Sequence, residues 1–296
     1  MMKVSVLVLS YNHEQFIQQT LESILNQKTS FEFEVLIGDD CSTDKSREVI
    51  EELYRLFPDR LKKIYPSQNL GPNNNYVNCF KNSNGKYIAF CEGDDYWIDT
   101  LKLQKQVDFL EKHNQYGGVC GEVVAYDVEK KREVKYPLRK KGKMDFNTIV
   151  RQNAIHSNTT LFRRTLVDLD SLNSISNLSI GDWYLHLLVT QKKPYYYLSE
   201  YFSLYRVHKK GVFSKKTDFY RSFQKAKLLH IFKKLDALED NYDKIRESMS
   251  NQIFRALKVA SKNDKPEVKK LFKILWGEKI IGLNRSILKG VLTLLK

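Results

Sequence analysis

The stretch Cys91-Glu92-Gly93-Asp94-Asp95-Tyr96-Trp97 decides how this chain is interpreted. It follows residues 85–90, a short apolar run opened by a glycine, which predicts a buried strand. Three carboxylates therefore stand just beyond a strand, where open α/β sheets bind their ligands. Clustered carboxylates repel one another unless a cation or a donor-rich ligand lies between them, and hard ions such as Mg²⁺ bind oxygens. The motif predicts a site for a metal-bridged diphosphate, with a solvated acidic turn as the alternative.

Strand and helix patterns alternate on both sides of this stretch. Residues 3–9 and 33–38 are nearly continuous in apolar residues, as central parallel strands are. The apolar spacing predicts amphipathic helices at 14–27 and 101–113. This alternation predicts an α/β fold with a mostly parallel, doubly wound, Rossmann-like sheet, and the pattern from residue 217 onward adds a C-terminal helical extension.

The positive charge is concentrated at the C-terminal end. The 296 residues carry a net charge of +14, and residues 201–296, with 23 Lys and Arg against nine Asp and Glu, account for all of it. A neutral body with a basic end indicates an anionic partner, either nucleic acid or an anionic membrane surface. In the last segment, residues 280–296, apolar and basic residues alternate at helical spacing. Such a helix lies in a membrane interface or packs on the catalytic domain with a solvated basic face.

The spacing of the cysteines and the length of the apolar segments bear on the cellular compartment of the protein. Cys41, Cys79, Cys91 and Cys120 have no zinc-binding spacing and predict free thiols in a reducing environment. The N-terminus runs directly into a strand and predicts no signal peptide, and no run of about 18 apolar residues predicts a membrane span. We expect a cytoplasmic protein, with peripheral contact at the inner face of the cytoplasmic membrane if the last helix binds lipid.

Six motifs occur in one order between residues 3 and 214: SVLVLSYN, EVLIGDDCSTD, NLG before GKYIAF, EGDDYW, GDW and YRVH. With them the chain resembles family 2 of the glycosyltransferases, which has the GT-A fold, and within it a bacterial subgroup that carries EGDDYW. Glu92 stands where other members have the first Asp of an Asp-x-Asp-Asp signature. The resemblance implies a catalytic domain at 1–214, with a nucleotide-binding half at about 1–100 and an acceptor half at about 101–214, followed by a basic helical region at 215–296.

The resemblance also implies an activity. It is the inverting, metal-dependent transfer of a hexose from a UDP-sugar to a glycan or lipid-linked acceptor in bacterial polysaccharide synthesis. Mn²⁺ or Mg²⁺ is the implied cofactor, and nucleic acid is not an implied partner.

The site residues follow from the same resemblance. Asp182 matches the family's general base, although by sequence alone its place at the start of a helix favours an N-cap. Trp97 and Trp183 stack on sugar faces or belong to the core. The implied metal ligands are Asp94, Asp95 and His208. The implied contacts to the nucleotide-sugar are Leu9, Ser10, Tyr11, Asn12, Asp40, Asn75, Glu92, Gly93, Asp94 and Arg206.

Two other functions compete with this interpretation. A nucleotidyltransferase also places metal-bound carboxylates on a parallel sheet, but it needs a glycine-rich basic loop after the first strand, and residues 9–12 lack one. A nucleic-acid-binding protein acting through its basic region fits the C-terminal composition. It leaves the carboxylates of the neutral part without a role.

Overall fold

The computed structural model describes residues 2–174, 178, 181–209, 211, 216–234 and 241–278. Within these residues there are ten strands: β1 (Val4–Ser10), β2 (Phe33–Asp39), β3 (Leu61–Ile64), β4 (Tyr87–Glu92), β5 (Tyr96–Trp97), β6 (Gly118–Asp127), β7 (Arg132–Lys135), β8 (Gly142–Met144), β9 (Leu161–Arg163) and β10 (Tyr195–Val207). They form one sheet in the order β3-β2-β1-β4-β9-β6-β10-β5, with β7 on β6 and β8 on β10.

The helices lie between these strands and after them. They are α1 (Ile17–Leu25), α2 (Ser46–Leu56), α3 (Pro72–Lys81), α4 (Lys102–Lys112), α5 (Phe146–Arg151), α6 (Leu169–Asn173), α7 (Gly181–Lys192), α8 (Asp218–Phe232), α9 (Tyr242–Val259) and α10 (Lys265–Gly277). The predicted α/β class with helices at the C-terminal end is confirmed.

The parallel part of the sheet is β3-β2-β1-β4, and it forms the core. Every residue of β2 is buried, as is all of β1 except Leu9, because both faces of a parallel strand are covered. The register pairs Ser10 with Asp39 and Leu9 with Glu92. Strands β1, β2 and β4 therefore end at the same edge of the sheet.

Two elements differ from the sequence-based expectation. Residues 69–75 are typical of a turn, and the sequence predicts a short helix only at 76–81. Helix α3 instead begins at Pro72, because Gly71 adopts a positive φ of 79° and Pro72 suits a first helical turn. The pair Tyr96–Trp97 forms β5, which pairs antiparallel with β10. This two-residue strand is too short to give a sequence pattern.

The chain divides into two compact units. One comprises Met1–Asn177 with Leu185–His208 and holds the sheet. The other comprises Leu178–Tyr184 with Lys209–Lys296, where α8 and α9 pack together and the Tyr184 ring meets the Phe232 ring at 5.3 Å.

The predictions about membrane contact and membrane-spanning segments can be compared with the structure only for the described residues. The amphipathic segment at 280–296 lies outside the described residues, so its membrane role stays a prediction. Among the residues that the structure does describe, no helix combines the length and the apolar character needed to cross a bilayer.

The four cysteines are free thiols, and burial raises the pKa of both Cys79 and Cys120 to about 12.

Candidate active site

The acidic turn begins where β4 ends, beside the end of β1. The Gly93 N–H donates to the Leu9 carbonyl at 2.8 Å. A Cβ at Gly93 would stand 2.6 Å from that carbonyl oxygen and 2.7 Å from Nδ1 of His13. Only glycine lets the turn approach β1 this closely, and the turn then presents the next side chain beyond the strand ends.

Asp94 occupies the open side of the turn. Its Oδ2 accepts a hydrogen bond from Nε2 of His208 at 3.0 Å, and Nε2 of His13 lies 3.8 Å from the same oxygen. Burial by itself raises the pKa of Asp94, but the His208 hydrogen bond and the charges of both histidines bring that pKa below its ordinary value. The carboxylate is therefore kept ionised, with about a fifth of its side chain exposed (21%).

Asp95 faces the opposite way and is buried. Its two oxygens accept from the Arg206 N–H and from Nδ2 of Asn158, each at 2.8 Å. Burial, followed by the charges of Asp94 and Glu92, raises the pKa of Asp95 well above its ordinary value. Asp95 was predicted to be a metal ligand, and in the structure its carboxyl connects the turn to β10 and to residue 158.

Arg206 also points into the protein. Its two terminal nitrogens donate to the Asp94 carbonyl at 2.6 Å and to Oε1 of Gln19. The guanidinium lies 4.6 Å from the centre of the Tyr96 ring and 5.0 Å from that of Phe16. Arg206 was predicted to contact the nucleotide-sugar, and in the structure both of its terminal nitrogens donate to protein oxygens.

The register of β5 on β10 explains how these residues meet. Tyr96 pairs with Leu204 in antiparallel order, so two residues further on Arg206 comes opposite Asp94. Strand β10 ends at Val207, and His208 follows it. The YRVH motif reaches the acidic turn through this pairing.

The predicted nucleoside contacts lie at the ends of β1 and β2. Asp40 accepts from the N–H groups of Leu70 and Gly71, at 2.7 and 2.8 Å, and so orders the turn before α3. Asn12, with a positive φ of 57°, accepts from the Thr43 N–H at 2.8 Å. Tyr11 is half exposed (47%) beside them and is available to a ligand.

Three further residues that were predicted to contact the nucleotide-sugar are buried or make hydrogen bonds within the protein. Nδ2 of the buried Asn75 donates to the Gly38 carbonyl at 2.7 Å. Ser10 is buried, and its Oγ has no hydrogen-bond partner among the described residues. Oε1 of Glu92 accepts from the Ser157 hydroxyl at 2.8 Å, which joins the turn to the segment 156–160.

That segment is held by the region after the acidic turn. Three side chains donate to three successive backbone carbonyls: Trp97 to residue 158 at 2.9 Å, Gln106 to residue 159 at 2.7 Å and Lys102 to residue 160 at 3.3 Å. Trp97 and Trp183 are both buried, so they belong to the core rather than to a sugar-stacking surface. Lys102 is fully buried over the Trp97 ring at 4.0 Å.

Asp182 is the second residue of α7 and belongs to the second compact unit. In that unit it is electrostatically coupled to Lys225. Burial lowers the pKa of Lys225, the charges of Arg255 and Arg221 lower it further, and Asp182 acts in the opposite direction. Asp182, the predicted base, is therefore the acidic member of a cluster that also contains Lys225, Arg221 and Arg255.

The structure thus gathers most of the predicted residues at one edge of the sheet, in the first unit, and Asp182 in the second. These gathered residues are Leu9, Ser10, Tyr11, Asn12, Asp40, Asn75, Glu92, Gly93, Asp94, Asp95, Arg206 and His208.

His13 lies at the site but was not among the residues predicted from the sequence. It follows the Ser10-Tyr11-Asn12 turn directly, its N–H donates to the Ser46 hydroxyl at 2.8 Å, and its ring lies 3.8 Å from the Asp94 carboxylate. Its position next to that turn was the available signal, but a single histidine without a partner in the pattern carried no weight.

The groups around Asp94 offer a partial set of ligands for the metal that the resemblance implies. In the described part of the chain, no group of three or more His, Cys, Asp and Glu side chains is arranged to hold a metal ion. Asp94 and His208 do offer one carboxylate oxygen and one imidazole nitrogen toward the open side. Such a partial set fits Mn²⁺ or Mg²⁺ when phosphate oxygens supply other ligands.

Comparison with known proteins gives a consistent family. The family model described as Glycosyl transferase family 2 matches residues 5–169. Rv1520 of Mycobacterium tuberculosis is 33% identical over 212 residues, which cover 71% of this chain and 60% of that protein's length. The poly(ribitol-phosphate) beta-N-acetylglucosaminyltransferase TarS of Staphylococcus aureus is 31% identical over 115 residues, which cover 38% of this chain and 20% of TarS.

Solved structures show the same fold. TarS 1–349 in complex with UDP-GlcNAc has a TM-score of 0.61 at 19% identity, covering 99% of this chain and 90% of that one. The mannosyltransferase PcManGT of Pyrobaculum calidifontis, in complex with GDP-Man and Mn²⁺, has a TM-score of 0.57 at 14% identity, covering 99% of this chain and 84% of that one.

Proposed function

The chain belongs to glycosyltransferase family 2, and from that premise we propose that it transfers a sugar from a nucleotide-sugar to a hydroxyl group of a glycan or lipid-linked acceptor. One observation carries the proposal. Asp94, kept ionised and paired with His208, stands beyond the ends of the parallel strands beside the Tyr11-Asn12 turn and Asp40. This is the edge at which α/β sheets bind nucleotides.

The donor is proposed to be a UDP-sugar. Tyr11 and Asn12 border the nucleoside, and Asp40 supports it by ordering the turn at residues 69–71. A UDP-sugar occupies the TarS structure and a GDP-sugar that of PcManGT, so both nucleotides belong in the test.

Asp94 and His208 are proposed to hold the divalent ion, either Mn²⁺ or Mg²⁺. When bound, such an ion stabilises negative charge on a departing diphosphate. Asp95 and Arg206 hold the turn that carries Asp94, since their hydrogen bonds fix its backbone. His13 lies beside the pair and helps to fix the orientation of the Asp94 carboxylate.

Asp182 is proposed as the general base. It removes the proton from the acceptor hydroxyl as that oxygen attacks the anomeric carbon from the face opposite the diphosphate. The bond from the anomeric carbon to the diphosphate oxygen breaks, and the configuration inverts. This role comes from the family resemblance of Gly181-Asp182-Trp183.

The product is proposed to be a bacterial surface polysaccharide. TarS is by its name a transferase to poly(ribitol-phosphate), which supports a polymeric acceptor. The aligned part of this chain spans 60% of the length of Rv1520, so the activity of the whole protein is part of the proposal.

A thermal-shift panel tests the proposal. UDP-GlcNAc, UDP-glucose and GDP-mannose are added with and without Mn²⁺. A ligand at 100 times its dissociation constant adds about 2.7 kcal/mol to the free energy of unfolding. Stabilisation that requires both nucleotide-sugar and ion supports the function, and no stabilisation by any of the three donors contradicts it.

A further inference from the structure

The second unit contains a groove of about 710 Å³ between α8 and α10. Its floor is aromatic and apolar and is formed by Phe219, Tyr220 and Phe223 of α8 with Ile274 of α10. The rings of Phe219 and Phe223 are nearly parallel, with centres 6.1 Å apart. This volume is in the range of sites that hold small ligands or short segments of a chain.

The sides of the groove are cationic. Nζ of Lys216 lies 4.9 Å from the centre of the Tyr220 ring, so its charge sits over the aromatic floor. Along α8 the groove runs for about 13 Å, at the helical rise per residue. The lysines that line it are Lys216, Lys227, Lys270 and Lys273.

Two acids also line the groove, and both are engaged. Asp264 accepts from the Ser261 N–H and hydroxyl, at 2.8 and 2.6 Å. Glu267 lies 3.9 Å from Nζ of Lys270. The four lysines and two acids give the lining a net charge of +2, so the groove favours an anion.

Gln224 identifies a second requirement. It lines the groove with only 8% of its surface exposed, and its Oε1 has no hydrogen-bond partner among the described residues. A buried acceptor without a donor is unfavourable, so a ligand that donates a hydrogen bond here gains affinity. Ionised phosphate and carboxylate groups accept but do not donate, so they do not satisfy this oxygen.

We propose that this groove binds an anionic glycan chain, whose phosphate or carboxylate groups contact the lysines and whose hydroxyl groups donate to Gln224. Sugar rings present apolar faces to Tyr220 and Ile274, which are partly exposed. Phe219 and Phe223 are buried (3% and 7% exposed), so they do not project into a bilayer. Among the aromatic residues that line the groove, Tyr220 is the one whose ring is accessible, whereas a single-stranded nucleic acid stacks successive bases on several rings. The ligand is therefore a glycan rather than a lipid surface or a nucleic acid.

The role of this glycan as the acceptor chain rests on the proposed function, but its binding does not. The test is an equilibrium titration of the full chain with fluorescently labelled polygalacturonate fragments, without donor or ion. Lys270→Glu combined with Lys273→Glu is expected to raise the dissociation constant roughly tenfold or more, since each loses a charge-assisted contact.

The matched control combines Lys244→Glu with Lys258→Glu. Both are exposed lysines of α9 outside the groove lining, and the pair changes the net charge by the same amount. It is expected to change the dissociation constant by less than about twofold, as surface charges at a distance are screened. An equal loss in both double variants would indicate general attraction of polyanions and would overturn the proposal.

Gln224→Leu tests the hydroxyl contact, because leucine keeps the packing and removes the acceptor. Affinity is expected to fall severalfold while the melting temperature is maintained; unchanged affinity overturns the assignment of Gln224. Neutral malto-oligosaccharides should bind much more weakly than polygalacturonate. If oligothymidylate or phosphatidylglycerol vesicles bind through Lys270 and Lys273 and polygalacturonate does not, the groove is not a glycan site. Asp94→Asn should leave polygalacturonate binding intact, which separates this site from the proposed donor site.

Discussion

Asp94 and His208 are 114 positions apart in the chain, yet Nε2 of the His208 imidazole lies 3.0 Å from Oδ2 of the Asp94 carboxylate. The contact exists because β5 pairs with β10 directly after the acidic turn. It joins the EGDDYW and YRVH motifs into one site, and the first prediction follows from it.

Asp94→Asn is expected to lower transfer by about a thousandfold, because the loss of one ligand removes most of the stabilisation of the leaving diphosphate. Ion-dependent stabilisation by the nucleotide-sugar should disappear in the thermal-shift assay. The melting temperature without ligand should fall only slightly, since the amide oxygen of asparagine can still accept the hydrogen bond from His208. Transfer at the normal rate by this variant would remove Asp94 from the site.

Asp95→Asn is expected to act differently, by destabilising the fold. Both Asp95 oxygens accept buried hydrogen bonds, and an amide leaves one of the two donors without an acceptor. The free energy of unfolding should fall by about 1–3 kcal/mol, measured by urea denaturation. If Asp95→Asn kept full stability and abolished ion binding instead, Asp95 would be a ligand, as the sequence pattern first indicated.

Asp182→Asn is expected to keep binding of the nucleotide-sugar and to lose transfer by about a hundred- to ten-thousandfold, the range of general-base catalysis. Binding is measured by thermal shift and transfer by release of the nucleoside diphosphate. Asp168→Asn is a matched control, because Asp168 is also a helix-start acid, which caps α6. A loss of transfer in both variants would point to helix stability rather than to base catalysis.

Gly93→Ala is expected to destabilise the protein by about 1–3 kcal/mol, the usual cost of overpacking. The added methyl would meet the Leu9 carbonyl oxygen at 2.6 Å, and backbone atoms cannot move aside easily. Gly277→Ala at the end of α10 is the control, because nothing lies within 4 Å of its Cβ position. Urea denaturation should show no loss for the control.

The lowered pKa of the buried Lys102 predicts that the free energy of unfolding depends on pH. Burial lowers its pKa from 10.5 to about 7, in spite of the favourable Trp97 ring. Between about pH 7 and pH 10 the unfolded chain therefore binds a proton at Lys102 that the folded chain does not, so this residue makes stability rise with pH. Lys102→Met removes this contribution. The free energy of unfolding of the native protein should rise relative to the variant, by up to a few kcal/mol, as the pH increases across that window. A constant difference between the two proteins would contradict the shifted pKa.

Much of the fold was predictable because its signals are local. The apolar runs of β1, β2 and β4 are continuous and each is followed by polar residues, so their burial and their common edge follow from pattern alone. Strand β5 and the early start of α3 were not predictable, since one depends on pairing with β10 and the other on the backbone of Gly71.

By itself the sequence determined that carboxylates stand at the ends of parallel strands, because strand periodicity and chain order are properties of neighbouring residues. Only the tertiary structure decided which carboxylate faces outward, that Arg206 turns inward to Gln19 and the Asp94 carbonyl, and that His13 joins His208 at Asp94. The reason is physical: the orientation of a side chain in a turn is set by the hydrogen bonds that it makes. Here the partners come from segments more than sixty positions away, such as Asn158 and Arg206.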